Sequence, residues 1–173
     1  MANITLLDPT DEREPSQRQP LARPETIDGL TVGLLDIAKA QGKEFLDRVQ
    51  EHLEKLGATV NRYRKPTFTR IAPLELKQQI ATECDVVIEG LADWGSCTSC
   101  SLHDISDLES RGIPAGFVAS SEFKQAAESQ AKSIGFDAAR VFVPHPIQDR
   151  NLKELQALAD AAIEDIVGLI KAE

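Results

Sequence analysis

This 173-residue chain has only three cysteines and a single tryptophan, and both shortages narrow what it can be. Three cysteines in a chain of this size do not make a disulfide framework, so a C-x-x-C pair among them reads as redox, metal-binding or catalytic in a reducing compartment. No second C-x-x-C and no H-x-x-H stands beside it to complete a closed zinc site. Basic residues are also short: 19 Lys and Arg face 28 Asp and Glu, for a net charge of -9. That balance opposes a footprint on nucleic acid or on an anionic membrane surface. No apolar run approaches the roughly 20 residues of a membrane span, and "MANITLLDPTDEREP" lacks the basic flank and apolar stretch of a secretory signal. The expected partners are small molecules or proteins, and the expected location is the cytoplasm.

What is present suffices for one core, with 42% hydrophobic and 27% charged residues. Residues 1–28 carry Pro9, Pro15, Pro20 and Pro24 among polar side chains and predict an extended arm, either a loose tail or a strap over a neighbouring subunit. Residues 29–173 predict a single α/β domain. Short apolar runs at 30–36, 58–64, 84–90, 113–119 and 140–144 alternate with helical patterns. One helix spans 43–57 and stops at Gly57, another opens at Pro73, and the last begins near Asn151. Most of the strand runs lack a two-residue rhythm, which argues for a parallel sheet covered on both faces. The expected fold is a doubly wound, five-stranded, mostly parallel sheet in the flavodoxin-like order 2-1-3-4-5. Ligands in such sheets sit beyond the carboxyl ends of the strands, at the switch between strands 1 and 3.

That rule gathers the reactive residues at one edge. Asp36 and Lys39 follow strand 1, and Lys65, Thr67, Thr69 and Arg70 follow strand 2. Asp93, Trp94, Gly95, Ser96, Cys97 and Cys100 follow strand 3, Ser120 follows strand 4, and "PHP" with His145 follows strand 5. Lys39, Lys65 and Arg70 together predict a small anionic substrate.

"LADWGSCTSCSLHD", residues 91–104, concentrates the chemistry. A helix start offers free N–H groups that stabilise a thiolate, so Cys97 or Cys100 reads as a nucleophile; the alternative is two small buried hydrophobes. At ~100° per residue Cys100 and His103 point away from the apolar stripe of Leu102, Ile105 and Leu108. Cys97, Cys100 and His103 form a candidate metal set, short of a fourth ligand. No cofactor is required by the sequence. His145, fixed between Pro144 and Pro146, is either a positioned acid/base or part of a rigid turn. Trp94 walls a pocket or meets a partner chain.

"DWGSCTSCSLHDISDLESRGIP", followed by "VFVPHPIQD", resembles the UGSC (seleno)protein family, named for selenocysteine-Gly-Ser-Cys. The segment is similar, more distantly, to the carboxyl-terminal part of the substrate-binding selenoprotein B of glycine reductase. The first resemblance extends to "LLDPT", "LTVGLLD" and "KPTFTRIAP". It implies covalent chalcogen chemistry, with Gly95, Cys97, Cys100 and His145 on matching positions. The family's nucleophile falls on Trp94, and indole cannot replace a thiolate or selenolate. Either Cys97 has taken over the chemistry, Cys100 resolving the adduct and His145 carrying the proton, or this chain is a non-catalytic subunit of a homo- or hetero-oligomer with a related chain. A metal-dependent hydrolase or lyase is the third reading.

Overall fold

The computed structural model describes residues 16–172, and its strands form within two residues or so of where the apolar runs place them. In chain order the elements are β1 (Thr31–Asp36), α1 (Gly42–Lys55), β2 (Thr59–Arg64), α2 (Leu74–Glu83), β3 (Val86–Ala92) and α3 (Gly95–Ser110). These are followed by β4 (Ala115–Ser120), a single 3-10 turn (Ser121–Phe123), α4 (Lys124–Ile134), β5 (Ala139–Val143) and α5 (Leu152–Gly168). The strands pair in the order β2-β1-β3-β4-β5, every ladder parallel. This is the flavodoxin-like topology expected from the sequence.

Helices cover both faces of the sheet, so the central strands are buried at every residue of β3 and β4. Side chains alternate across the strands and divide the interior in two. Val32, Leu34, Ile88 and Val118 pack with Phe45, Leu46 and Val49 of α1 and Leu155 and Ile166 of α5. Leu35, Val87 and Phe117 pack on the other side with Ile80 of α2, Leu102 and Ile105 of α3, and Phe136. Cys84 joins this second cluster, as its isolated place in the sequence suggests.

Local signals set the helix ends. Gly57 takes a φ of 88° just past α1, the left-handed turn that glycine adopts without strain. Asn151 accepts the Glu154 N–H at 3.1 Å while Glu154 accepts the Asn151 N–H at 2.8 Å, a reciprocal cap that starts α5.

Residues 1–15 of the predicted arm lie outside the described residues. Residues 16–28 are extended and bind this chain's own domain. The cause is two arginines with backbone carbonyls to satisfy. Arg18 donates to Ser106 O at 2.6 Å and lies 4.2 Å over the Phe136 ring. Arg23 reaches Leu169 O and Ala115 O, both at 3.0 Å, and pairs with Glu109 at 2.7 Å.

Gly116 of β4 packs closely under Leu169, the residue that ends α5: a Cβ there would lie 2.8 Å from Leu169 Cβ and 3.1 Å from Ala139 O. Gly116→Ala is expected to cost about 1–3 kcal/mol by overpacking, read as a lowered midpoint in urea unfolding.

Candidate functional site at the carboxyl edge of the sheet

The loop leaving β1 is held in a demanding conformation around Lys39. Ala38 and Gln41 have φ of 68° and 67°, values costly for residues with a Cβ. Asp36 holds the first by accepting the Ala38 N–H at 2.7 Å, and the Gln41 amide holds the second by donating to Arg150 O at 2.9 Å. Asp36 also pairs with Arg64 at 2.8 Å. Its carboxylate stands against the start of α1, 3.5 Å from the Cβ position of Gly42, where a phosphate would have to bind. The flavin phosphate site of flavodoxin-like proteins therefore does not fit these residues.

Lys39 is buried and its ammonium is fully engaged. It lies 2.6 Å from Asp93 Oδ1, 4.6 Å from the centre of the Trp94 ring and 4.9 Å from that of Phe68. Asp93 Oδ1 accepts no aligned hydrogen bond, so its pairing with Lys39 is one of charge alone. The other oxygen of Asp93 accepts from Gln148 at 3.2 Å. Lys39, Ala40, Phe68, Trp94 and Gln148 enclose a cleft of about 210 Å³ at the β1/β3 switch point, where the strand order predicts a ligand.

At the start of α3 the two motif cysteines separate. Cys97 is buried, and its Sγ accepts the Trp94 N–H at 3.2 Å and donates to Trp94 O at 3.1 Å. Thr98 Oγ1 donates to the same carbonyl at 2.8 Å. Cys97 thus serves as a cap of its own helix. Burial pushes its thiol up, outweighing the Trp94 and Asp93 main-chain hydrogen bonds that pull it down. Cys100 is half-buried, and burial also raises its thiol, against the nearby positive charge of Lys65. Burial and the helix start act on these thiols in opposite directions, and burial, imposed by packing α3 onto the sheet, is the larger influence on both.

Beneath α3 lies a polar cluster of which the sequence reading found one member. Lys65, expected to face a substrate, is buried, 2.6 Å from Asp104 and 3.4 Å from Glu89. Asp104 also accepts the Ala72 N–H at 2.8 Å, and Glu89 accepts the Ser101 hydroxyl at 2.9 Å. Glu89 Oε2 has no partner. Burial and the Asp104 charge push the Glu89 carboxyl up to about 7, while burial works against the Lys65 ammonium but the two carboxylates overcome it and raise it. Glu89 was legible as an acid following Val86, Val87 and Ile88 inside the apolar run "CDVVIEG". Asp104 and Ser101 flank the stripe of α3 and carried no other signal. The cations expected to mark an anion site are thus largely spent inside the protein, and Arg70 alone of the three stands exposed.

The remaining candidates form a second group beside the start of α3. Ser120 is buried, and its hydroxyl lies 2.7 Å from His145 Nδ1. Phe123 meets the His145 ring edge-on at 6.3 Å and lies 3.9 Å from the Cβ position of Gly95. This arrangement fixes the imidazole and leaves Nε2 as its other proton-carrying atom. Ser96 is exposed. The candidate metal set is not assembled: among the described residues no three His, Cys, Asp or Glu side chains are grouped to hold an ion. Cys97 turns inward to its cap, whereas His103 faces outward against Gln130 at 3.3 Å.

The model of the UGSC family matches residues 5–172, nearly the whole chain. The chain belongs to the UGSC family. No curated protein matches it. Among solved structures, a short-chain flavodoxin associated with a non-canonical PDU bacterial microcompartment superposes with a TM-score of 0.46 at 15% identity, covering 82% of this chain and 99% of that one. An ABC transporter permease from the Pseudomonas fluorescens group gives 0.45 at 20% identity, covering 83% of this chain and 37% of that one. Both likenesses are too low to bear on activity.

In this UGSC chain Lys65 is held by two buried acids, and the strength of that tie can be measured. Lys65→Met strands the Asp104 carboxylate and is expected to cost about 3–5 kcal/mol in urea unfolding, with much of the loss recovered when Asp104→Asn is added.

Proposed function

We propose that this chain is a ligand-binding, non-catalytic subunit of the UGSC type, whose site face is completed by a second, related chain. The observation that carries this reading is Trp94. It occupies the position of the nucleophile in the proteins it resembles, stands 58% exposed, and walls the cleft at the switch point. Ile71, Leu74 and Leu152 are exposed at the same edge of the sheet, and with Trp94 they are four of the five exposed large hydrophobics among the described residues. Apolar groups that gather at one end of a domain favour a protein contact there. The ligand is a small molecule whose apolar body lies against Trp94 and Phe68 and whose anionic end faces Lys39, the one cation lining the cleft. Its size is limited, since about 210 Å³ falls below the usual range for drug-sized ligands. His145 is held in place by Ser120 and Phe123.

A second reading, a thiol enzyme acting through Cys100, is favoured by the Lys65 charge beside that sulfur. In it Cys97 is retained for the cap, and His145 exchanges protons with the bound group.

The two readings part on thiol reactivity and assembly. Neither Cys97 nor Cys100 is expected to alkylate faster than free cysteine, followed by peptide mass. Native mass measurement is expected to show association with a related chain, lost in Trp94→Ala. That substitution should keep the cap of α3, which uses the main chain of residue 94, and should lower stability by about 0.5–1 kcal/mol through loss of the ring over Lys39. A stable, active homo-oligomer, or a fast-reacting thiol, would overturn the subunit reading in favour of the enzyme.

A further inference from the structure

The cluster under α3 holds one cation and two carboxylates out of contact with water. Lys65, entering from the loop after β2, gives its short contact to Asp104, at 2.6 Å against 3.4 Å for Glu89. Asp104 also receives the Ala72 N–H on its other oxygen, so both of its oxygens face donors. Glu89, from β3, has the Ser101 hydroxyl and the distant ammonium on Oε1 and nothing on Oε2, with the residue wholly buried. If both acids were ionised, the cluster would carry an uncompensated negative charge, and that charge would fall on the worse-solvated of the two. A single proton on Glu89 restores neutrality and leaves the better-served carboxylate charged.

We propose that Glu89 stands as the neutral carboxylic acid beneath the C-x-x-C helix, and that this proton, by keeping the Lys65–Asp104–Glu89 cluster uncharged, governs whether the Cys100 thiol can ionise. Glu89 is a positioning residue in this scheme. The reaction is proton exchange alone: Glu89 loses its proton to solvent, the cluster passes from neutral to one net negative charge, and a thiolate forming at Cys100 then meets repulsion. The charged groups facing the cluster are Lys65 from the loop after β2, Asp104 from α3, and Lys77 from α2, which acts on Asp104. Cys100 stands one helical turn before Asp104 and next to Ser101, whose hydroxyl donates to Glu89, so its sulfur feels the charge of Lys65, Asp104 and Glu89. The inference does not depend on whether Trp94 meets a partner.

Its pH signature follows from linkage. Burial and the Asp104 charge push the Glu89 carboxyl up to about 7 in the folded chain, against an ordinary value of about 4.5 when unfolded. The folded state therefore binds more protons between those values, so the stability Glu89 contributes is complete below 4.5 and is lost as pH rises through about 7. Asp104, also raised, acts in the same direction. Asp47, Asp107 and Asp160 are lowered and act only at acid pH.

The test compares the full-length protein with Glu89→Gln, which keeps the shape and removes the titration. Three results are expected. A carboxylic-acid C=O band in the infrared spectrum persists at about pH 6, vanishes by about pH 9, and is missing from the variant. The urea midpoint of the wild type falls over the same range while that of the variant stays flatter. Iodoacetamide labels Cys100 several-fold faster in the variant at mildly alkaline pH, and at an equal rate near pH 6, about where wild-type Glu89 is itself protonated. A purely structural Glu89 would not move the labelling profile. Absence of the band at about pH 6 in the wild type, or identical labelling profiles, overturns the proposal. Should Glu89→Gln fail to fold, the wild type decides: the band has to be lost with rising pH, and over the same range Cys100 labelling has to rise less steeply than that of a free thiol, absence of either overturning the proposal.

Discussion

The ammonium of Lys65 is the interaction on which the carboxyl edge of this protein depends. It arrives from the loop after β2, reaches under α3, and meets an acid from that helix and another from the middle strand of the sheet. Three elements that share no ladder with one another at that point are thereby tied through a single charge. In a dry interior such a tie is worth little as net stability but a great deal as a constraint, since removing any one partner leaves the others exposed to the low dielectric. The seating of α3, and with it Cys97, Cys100 and Trp94, depends on this tie.

The same economy recurs at Lys39. A cation near a ligand cleft is usually taken for a ligand-binding group, yet here it is paired with Asp93 and boxed by two aromatic rings. An anion entering the cleft has to compete with Asp93 for it. On the binding role proposed above, the cleft would favour small ligands that bring both an apolar face and a charge, because neither Lys39 nor the rings alone offer an unoccupied attraction.

The fold was legible in the sequence because five apolar runs of strand length alternated with helical periodicity, and that pattern allows few topologies. The switch point placed Lys39, Asp93 and Trp94 near one another correctly. Side-chain state was not legible. Lys39 and Lys65 look like surface cations in sequence, and only the crossing of β3 and α3 shows that acids are waiting for them. The cysteines illustrate the same limit: spacing put both at a helix start, but burial depends on how closely α3 lies on the sheet, which spacing does not encode. Glu89 offered a faint signal as an acid in an apolar strand, whereas Asp104 and Ser101 offered almost none.

At the head of α3, the hydrogen bonds that fix the helix run to the amide and carbonyl of residue 94 and not to its indole. A position built in this way holds the start of its helix whatever side chain it carries, so the side chain is left to serve the cleft, where the indole covers Lys39. A different side chain at residue 94 would change what this edge presents while keeping the cap of α3.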